Sequence, residues 1–321
     1  MEYVLLVIGL IILIKGADFL IEGSSSIAKK FGVPTIVIGL TIVAFGTSLP
    51  EFLVNIIAAS KGSTEMAFGN IVGSNIANIL LILGITALIR PQKVKRSTTW
   101  KEIPFGLLGA VALLIFANDK LIDRTQISML SRIDGLALIL FMIIFLYYLI
   151  EITLKNKTEI CETNETETKI LPTWKTVFYI IIGLVTLYFG GRWAVDSAVT
   201  IARNFGMSEY LISATIVALG TSLPELATSV KAALKNQSDL AIGNIVGSNI
   251  FNIFFVLGVT ALIIPVVVPA SINFDLIFLA IISLLLFLFM FIGKKHQLER
   301  WQGSLFLAGY LFYIIFIVMR G

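Results

Sequence analysis

Cysteine and histidine are almost absent from this sequence, which contains one of each, Cys161 and His296. A single cysteine cannot form an internal disulfide, and one residue of each type cannot build the Cys/His clusters that bind zinc. The chain also lacks the His-Glu-x-x-His motif of zinc-dependent hydrolases, and its histidine lies outside the long apolar runs. We therefore expect a protein that is not an enzyme and that needs no cofactor.

Charged residues are scarce as well. They make up 14% of the chain, whereas 57% of it is hydrophobic; soluble domains have about 25% charged and about 45–50% apolar residues. The net charge of +4 does not indicate a nucleic-acid partner, because the basic residues lie mainly between the apolar runs. The partner that this composition predicts is the lipid bilayer.

The apolar runs are long enough to cross a bilayer as helices, which needs about 20 residues each. They predict an all-α polytopic membrane protein with ten transmembrane helices. The predicted spans are 3–26, 34–59, 66–89, 102–118, 133–154, 174–200, 208–233, 240–263, 272–293 and 301–319.

A polar linker, 155–173, separates an N-terminal half, 1–154, from a C-terminal half, 174–321. Basic residues are concentrated in alternate connections, including this linker, and such connections usually face the cytoplasm. The pattern predicts a protein of the cell membrane with a cytoplasmic linker and two extracellular termini. We expect it to act as a monomer.

The two halves form an internal repeat. A shift of 174 residues places 16–84 on 190–258 without a gap. Five spans in each half is an odd number, so the second half would enter the membrane from the opposite side. The sequence therefore predicts two inverted five-helix repeats whose matching motifs meet near the midplane.

The first repeated motif is Gly-Thr-Ser-Leu-Pro-Glu, at 46–51 and 220–225. Glu51 and Glu225 lie inside apolar segments, where a charged group costs about 2.5–3.5 kcal/mol and usually marks a functional site. Pro50 removes a helical hydrogen bond and predicts a kink that frees backbone carbonyls. Thr47, Ser48 and the carboxylate share one helix face and would form a set of hard oxygen ligands.

The second repeated motif places Asn70, Ser74 and Asn78 at intervals of four, and the same stripe recurs at Asn244, Ser248 and Asn252. Two carboxylates with amide, hydroxyl and backbone oxygens suit calcium, which takes about six to eight oxygen ligands. Magnesium fits less well, because it retains its waters and requires octahedral geometry.

Both motifs also have structural interpretations. The glutamates could pair with Lys15 or Arg192, although these two cations do not occupy matching places in the halves. Small and polar residues often hold membrane helices together. Four asparagines are equally open to such a packing role: Asn70, Asn75, Asn244 and Asn249.

Charge balance favours exchange over passive flow. Two ionised glutamates carry a charge of −2, and moving an empty, doubly charged site across a low-dielectric membrane is costly. One Ca²⁺, or sodium ions or protons on the same oxygens, would remove that cost. A cation channel is the alternative, but the polar residues cluster at one depth and adjoining stretches such as 79–83 are apolar.

The paired motifs resemble the α-repeats of the cation/calcium exchanger superfamily, specifically the prokaryotic sodium/calcium exchangers. The likeness covers most of both halves. It implies ten helices, of which the first and sixth slide against a core of eight, and alternating access to one central ion cluster.

The resemblance also implies ligands for the transported ions. A calcium site would use Glu51 and Glu225 with the backbone carbonyls of Thr47 and Thr221. Asn78 and Asn252 would complete the central layer. The flanking sodium sites would use Ala44, Ser48, Ser74, Ala218, Ser222 and Ser248.

One departure from the family concerns the transported ions. Some relatives, notably potassium-dependent ones, have an aspartate where this chain has Asn252, so the resemblance argues against potassium cotransport. The hypothesis is a secondary antiporter that exchanges Na⁺ for Ca²⁺. The alternative is a proton/calcium exchanger, because two protons match two glutamates without net charge movement, whereas three Na⁺ leave a surplus positive charge.

Overall fold

The computed structural model describes residues 2–122, 127–155, 170–206 and 218–320. Within these ranges the chain is almost entirely helical. The main helices are α1 (Glu2–Phe31), α2 (Thr35–Thr47), α3 (Leu49–Ser60), α4 (Thr64–Ala77, the π-helical turn Asn78–Ile82 and Leu83–Ile89), α5 (Arg96–Phe116), α6 (Arg132–Lys155), α7 (Thr173–Asn204), α8 (Leu223–Leu234), α9 (Ser238–Ile263), α10 (Asn273–Phe289) and α11 (Arg300–Arg320).

The prediction of an all-α membrane protein is confirmed. Seven of these helices are long and apolar enough to cross a bilayer, and the bent pair α2–α3 would make an eighth span. The ninth predicted span coincides with α10, an apolar helix of 17 residues. The seventh predicted span, 208–233, and the linker, 155–173, lie partly outside the described residues. The count of ten therefore stays a prediction.

Helices α4 and α9 form the centre of the molecule. In their most apolar stretches 78% and 83% of the residues are buried, against 28–39% in the other long apolar helices. Both helices carry the Gly-Asn-Ile-Val-Gly-Ser-Asn motif. The repeated polar stripes thus lie in the most buried part of the fold.

Two short antiparallel ladders join distant connections. Gln92–Lys93 pairs with Gln297–Leu298, and Met129–Leu130 pairs with Val266–Val267. The first ladder ties the α4–α5 connection to the α10–α11 connection, and the second ties the segment before α6 to the segment after α9. These pairings connect the two halves outside the helical core.

A seam of glycines allows α1 and α7 to pack backbone to backbone. Gly9 and Gly16 on α1 are seven residues apart, as are Gly183 and Gly190 on α7. A Cβ atom on Gly190 would lie 2.6 Å from the backbone nitrogen of Leu13. Glycine at such crossings allows membrane helices to approach closely, which favours packing of α1 and α7 as one unit.

Ion pairs join α1 of the first half to α8 of the second half. Lys231 Nζ lies 3.0 Å from Asp18 Oδ2, and Lys235 Nζ lies 3.2 Å from Asp18 Oδ1. The repeat places Arg192 at the position that matches Asp18. Arg192 instead pairs with Asp196 on its own helix, at 3.6 Å on the surface. Of the two cations that the sequence offered as partners for the glutamates, Arg192 is therefore engaged elsewhere.

The glycine seam is tested by two adjacent substitutions in α7. Gly190→Ala is expected to destabilise the protein by about 1–3 kcal/mol, because its Cβ would overlap the backbone of α1. Gly191→Ala is the control, since its Cβ would meet Leu13 Cδ1 at 3.6 Å, an ordinary contact. Both changes raise helix propensity equally. Thermal unfolding in detergent measures the difference, and equal midpoints for the two variants would contradict the close packing.

Candidate ion-binding site

The site begins at matching helix breaks. The axes of α2 and α3 differ by 44° across Ser48, as the proline two residues later predicts. Ser48 has φ −84° and ψ 4°, and Ser222, which precedes α8, has φ −88° and ψ 5°. The two halves therefore use the same backbone geometry to interrupt a helix at membrane depth, which is tolerated where the backbone is buried in protein or lines a cavity.

After each break, the first turn of the next helix carries a carboxylate. Glu51 lies in the first turn of α3 and Glu225 in the first turn of α8. Both side chains are completely buried. The unpaired N–H groups and dipole of a helix N-terminus stabilise negative charge, so the sequence places its two buried carboxylates where a helix best tolerates them.

The carboxylates of the two halves meet through serine hydroxyls. Ser48, three residues before Glu51, donates a hydrogen bond of 3.2 Å to Glu225 Oε1. Ser74 donates to Glu51 Oε1 at 3.5 Å, and Ser248 donates to Glu225 Oε1 at the same distance. Motif residues of the two halves thus contact each other in one buried cluster of polar side chains, which is named the pocket.

Two asparagines connect the central helices, α4 and α9, to the residues at the two helix breaks. Asn244 accepts a hydrogen bond of 3.0 Å from Thr47 Oγ1 and donates one of 3.4 Å to the backbone oxygen of Glu225. Asn70 makes the matching contacts, accepting from Thr221 Oγ1 at 3.3 Å and donating to the Glu51 backbone oxygen at 3.2 Å. These bonds hold the threonines and glutamates of opposite halves around the same pocket.

Two of the asparagines predicted as ligands lie where α4 and α9 open into π-helical turns. These turns, Asn78–Ile82 and Phe251–Leu257, include Asn78 and Asn252. Such turns are rare and occur frequently at functional sites. Hydrophobic spacing did not predict them, because a π turn changes the hydrogen-bonding register without altering the apolar pattern.

Several buried oxygens in the pocket have no hydrogen-bond partner among the described residues. They are Glu51 Oε2, Glu225 Oε2, Asn78 Oδ1, Asn252 Oδ1 and Ser222 Oγ. Four of these atoms form two repeat-related pairs, and two belong to carboxylates. Buried acceptors without donors are costly, and a cation would satisfy them, so the donor set fits the expected ions.

The remaining predicted residues border this pocket where they are described. The backbone oxygen of Ala44 accepts a hydrogen bond of 3.5 Å from Ser248, and Thr221 lies 3.4 Å from the hydroxyl of Ser74. Ala218 begins a short helical segment before the second break, and its side chain lies outside the described part of the chain. Sequence reasoning left Asn70 and Asn244 open to packing alone, and their contacts with the glutamate backbones were not readable from spacing.

The chain matches the family model described as sodium/calcium exchanger protein over residues 1–151 and 175–319. It belongs to the sodium/calcium exchanger family. It is 32% identical to the sodium/calcium exchanger MaX1 of Methanosarcina acetivorans over 99% of this chain and 98% of that protein. It is also 34% identical to the inner membrane protein YrbG of Escherichia coli, over 97% and 94% of the two chains.

Solved structures agree with this assignment. The sodium/calcium exchanger from Methanococcus jannaschii matches with a TM-score of 0.81 and 35% identity, over 98% of this chain and 97% of that one. Members of the sodium/calcium exchanger family are transporters. The prediction that this multi-pass membrane protein is an antiporter without enzymatic activity is therefore confirmed.

The buried charge makes a prediction about stability. Glu51→Gln removes one of two buried carboxylates that each keep an oxygen without a partner among the described residues, so without Ca²⁺ the variant is expected to unfold at or above the temperature of the parent. In the parent, Ca²⁺ at 100 times its Kd adds about 2.7 kcal/mol of stability, and the variant should lose this effect. Thermal unfolding with and without Ca²⁺ measures both.

The control for this experiment is Glu151→Gln. Glu151 lies on the surface and pairs with Lys155 one turn away, so its neutralisation should leave the Ca²⁺-dependent shift intact. A Glu51→Gln variant that is still stabilised by Ca²⁺ to the same extent as the parent would show that the ion binds elsewhere.

Proposed function

We propose that the protein exchanges Na⁺ for Ca²⁺ across the membrane by alternating access to the pocket between Glu51 and Glu225. The observation that carries this proposal is that two completely buried carboxylates from matching breaks each retain an unpartnered oxygen within the described structure. The membership of the chain in the sodium/calcium exchanger family agrees with this cargo.

The proposed ligands of the transported ions are residues at the helix breaks and on α4 and α9. Ca²⁺ binds the carboxylates of Glu51 and Glu225 and the backbone carbonyls of Thr47 and Thr221. Sodium ions bind on either side of it, and the central asparagines complete the layer. The proposed residues of the two sodium sites and the central layer are Ala44, Ser48, Ser74, Asn78, Ala218, Ser222, Ser248 and Asn252.

The hydroxyls allow different ions to use the same oxygens. In the described structure Ser48, Ser74 and Ser248 donate to carboxylate oxygens. A hydroxyl that rotates its hydrogen away can offer a lone pair to a cation instead. Ca²⁺ then takes the carboxylates, while Na⁺ shares them with the flanking hydroxyls, so binding of one ion type competes with the other.

Obligatory exchange follows from the cost of the empty site. Two carboxylates without a cation repel each other and lack the solvation that water would provide. Reorientation of the empty carrier would move this charge through the low-dielectric membrane. Bound Ca²⁺ or bound Na⁺ neutralises the charge, and only the loaded protein crosses the barrier readily.

The proposed topology consists of two inverted repeats, 1–154 and 174–321, with five helices each, joined by a cytoplasmic linker at 155–173. Both termini lie outside the cell. Reciprocal contacts between the halves support this arrangement: Asn75 donates to the backbone oxygen of Asn249 at 3.3 Å, and Asn249 donates to that of Asn75 at 3.4 Å. Such pairing is typical of a local two-fold axis.

Helices α1 and α7 are the proposed moving unit. Their glycine seam joins them to each other, whereas α1 contacts α8 through the ion pairs of Asp18 with Lys231 and Lys235. Partly exposed ion pairs are weak and can break at modest cost. The proposed ligands from both repeats belong to one chain, so the protein is proposed to act as a monomer.

Proton/calcium exchange is the second candidate. The observation that favours it is charge balance, since two protons would neutralise Glu51 and Glu225 without net charge movement. Three sodium ions would carry one positive charge more than one Ca²⁺. The two candidates therefore differ in how they respond to sodium, to pH and to the membrane potential.

Transport into proteoliposomes separates these candidates. Vesicles loaded with Na⁺ are expected to accumulate external Ca²⁺ when sodium is absent outside, and a pH gradient alone is expected to drive little uptake. With three Na⁺ leaving for each Ca²⁺ that enters, an inside-positive potential should accelerate uptake, because one charge contributes about 2.3 kcal/mol per 100 mV.

Other outcomes of this assay have definite meanings. Uptake that responds only to the pH gradient would assign the protein to the proton/calcium class. If neither gradient drives uptake in a preparation that is still stabilised by Ca²⁺, the antiport mechanism is wrong although the binding site is present.

The shared-hydroxyl arrangement predicts unequal effects on the two ions. Ser74→Ala should raise the Na⁺ concentration for half-maximal exchange by about tenfold, equivalent to about 1.4 kcal/mol, and should change the Ca²⁺ requirement much less. Ser283→Ala is the control, because this buried serine bonds only to the backbone of α10 in the described structure. An equal loss of affinity for both ions would argue against a separate sodium ligand.

A further inference from the structure

Four asparagines form a buried network between α4 and α9. Asn75 and Asn78 belong to α4, Asn249 and Asn252 belong to α9, and each is at most 7% exposed. We propose that Asn75 and Asn249 are positioning residues, which force Asn78 and Asn252 to turn their oxygen atoms, and not their NH₂ groups, toward the ion pocket. This inference rests on the proposed function, in which that pocket binds cations.

The argument begins with two contacts to backbone oxygens. Asn75 Nδ2 lies 3.3 Å from the carbonyl oxygen of Asn249, and Asn249 Nδ2 lies 3.4 Å from the carbonyl oxygen of Asn75. A backbone carbonyl can accept a hydrogen bond but cannot donate one. The NH₂ groups of both side chains must therefore face these carbonyls, which fixes the orientation of the two amides.

The orientation of the next two amides follows from the first two. With their NH₂ groups engaged, Asn75 and Asn249 present Oδ1 to the neighbouring asparagines. Asn78 Nδ2 donates to Asn249 Oδ1 at 2.9 Å, and Asn252 Nδ2 donates to Asn75 Oδ1 at 3.0 Å. A flipped Asn78 or Asn252 would set two oxygen atoms against each other, so this orientation is also fixed.

As a consequence, the side-chain oxygens of Asn78 and Asn252 take no part in the asparagine network. Asn78 Oδ1 and Asn252 Oδ1 are buried and have no partner in the part of the chain that the structure describes. Asn78 follows Ser74 by one helical turn, and Asn252 follows Ser248 by one turn; both serines contact the buried carboxylates. Residues four apart share a helix face, so each free amide oxygen belongs to a residue one turn from a serine that contacts a buried carboxylate.

The orientation of these amides affects cation affinity because the two ends of an amide carry opposite partial charges. Its oxygen attracts a cation, whereas its NH₂ group carries partial positive charge and offers no lone pair. If Asn249 did not hold Asn78, the amide could turn, and a ligand would become a repulsive group. Outer residues that orient metal ligands commonly change affinity by about 10–100-fold.

A double-mutant cycle tests this role. Asn249→Ala removes the acceptor that holds Asn78 and is expected to raise the Kd of Ca²⁺ by about tenfold. In an Asn78→Asp background the same change should not raise the Kd, because a carboxylate presents an oxygen whichever way it turns and the substitution also removes the repulsion from Asn249 Oδ1. Kd is measured by titration calorimetry in detergent, and thermal midpoints without Ca²⁺ are recorded for each variant.

A structural role would give a different result. If Asn249 only holds the helices together, Asn249→Ala should lower the thermal midpoint and change the Kd by the same factor in both backgrounds, which would overturn the inference. Asn55→Ala is the control: Asn55 is also fully buried and donates to a backbone oxygen, that of Ala67, outside the network. Its Kd should match that of the parent.

The repeat supplies a second, independent test. Where Asn249→Ala does not fold, Asn75→Ala with and without Asn252→Asp asks the same question of the other half. Failure of this inference is distinct from failure of the proposed function. If the parent itself does not bind Ca²⁺, the proposed function is wrong; if the parent binds Ca²⁺ and Asn75→Ala and Asn249→Ala retain its Kd, only the orienting role is wrong.

Discussion

The repulsion between two buried carboxylates is the constraint on which the structure depends. Glu51 and Glu225 are removed from water, and each retains an oxygen without a partner among the described residues. A protein interior can hold such charges only when dipoles, hydroxyls or cations compensate them. The helix N-termini and the serine donors supply part of that compensation, and under the proposed function a transported cation supplies the remainder.

The scaffold around the pocket is built to bring backbones close together. A Cβ on Gly243 would lie 2.9 Å from the backbone oxygen of Ile36, and one on Gly247 would lie 2.7 Å from the Cβ of Ala44. These glycines let α9 lie directly against α2. That proximity places Ser248 and Asn244 within hydrogen-bond distance of the groups at the first helix break, so close packing and site geometry have the same origin.

The contacts within the pocket are more symmetric between the two halves than the contacts at the periphery. Matching residues at the helix breaks and in the asparagine layer give similar contacts on both sides of the pocket, as suits the proposed alternating access. The peripheral contacts are not symmetric: Asp18 pairs with α8, whereas Arg192 pairs within its own helix. Differences of this kind lie outside the pocket, so the symmetric contacts within it are unaffected.

Much of the fold and of the candidate site was readable from the sequence because the signals are local or repeated. The length of the apolar runs predicted the membrane helices, and Pro50 predicted the break that the structure shows as a 44° bend. The shift of 174 residues showed that Glu51 and Glu225 occupy equivalent places in the two halves. The π-helical turns at Asn78 and Asn252 were not readable, because they change backbone hydrogen bonding and leave hydropathy unaltered.

By itself the sequence determined which chemical groups are available in this apolar chain. They are two carboxylates, the threonine and serine hydroxyls that precede them, and two stripes of asparagine and serine. Only the tertiary structure decided how those groups face one another. The orientations of Asn75 and Asn249 were undecided from spacing, because an amide is both donor and acceptor and the group that it presents depends on a residue 174 positions away in the chain. Local sequence fixes the identity of a polar atom, whereas the packing of distant helices fixes the direction in which it points.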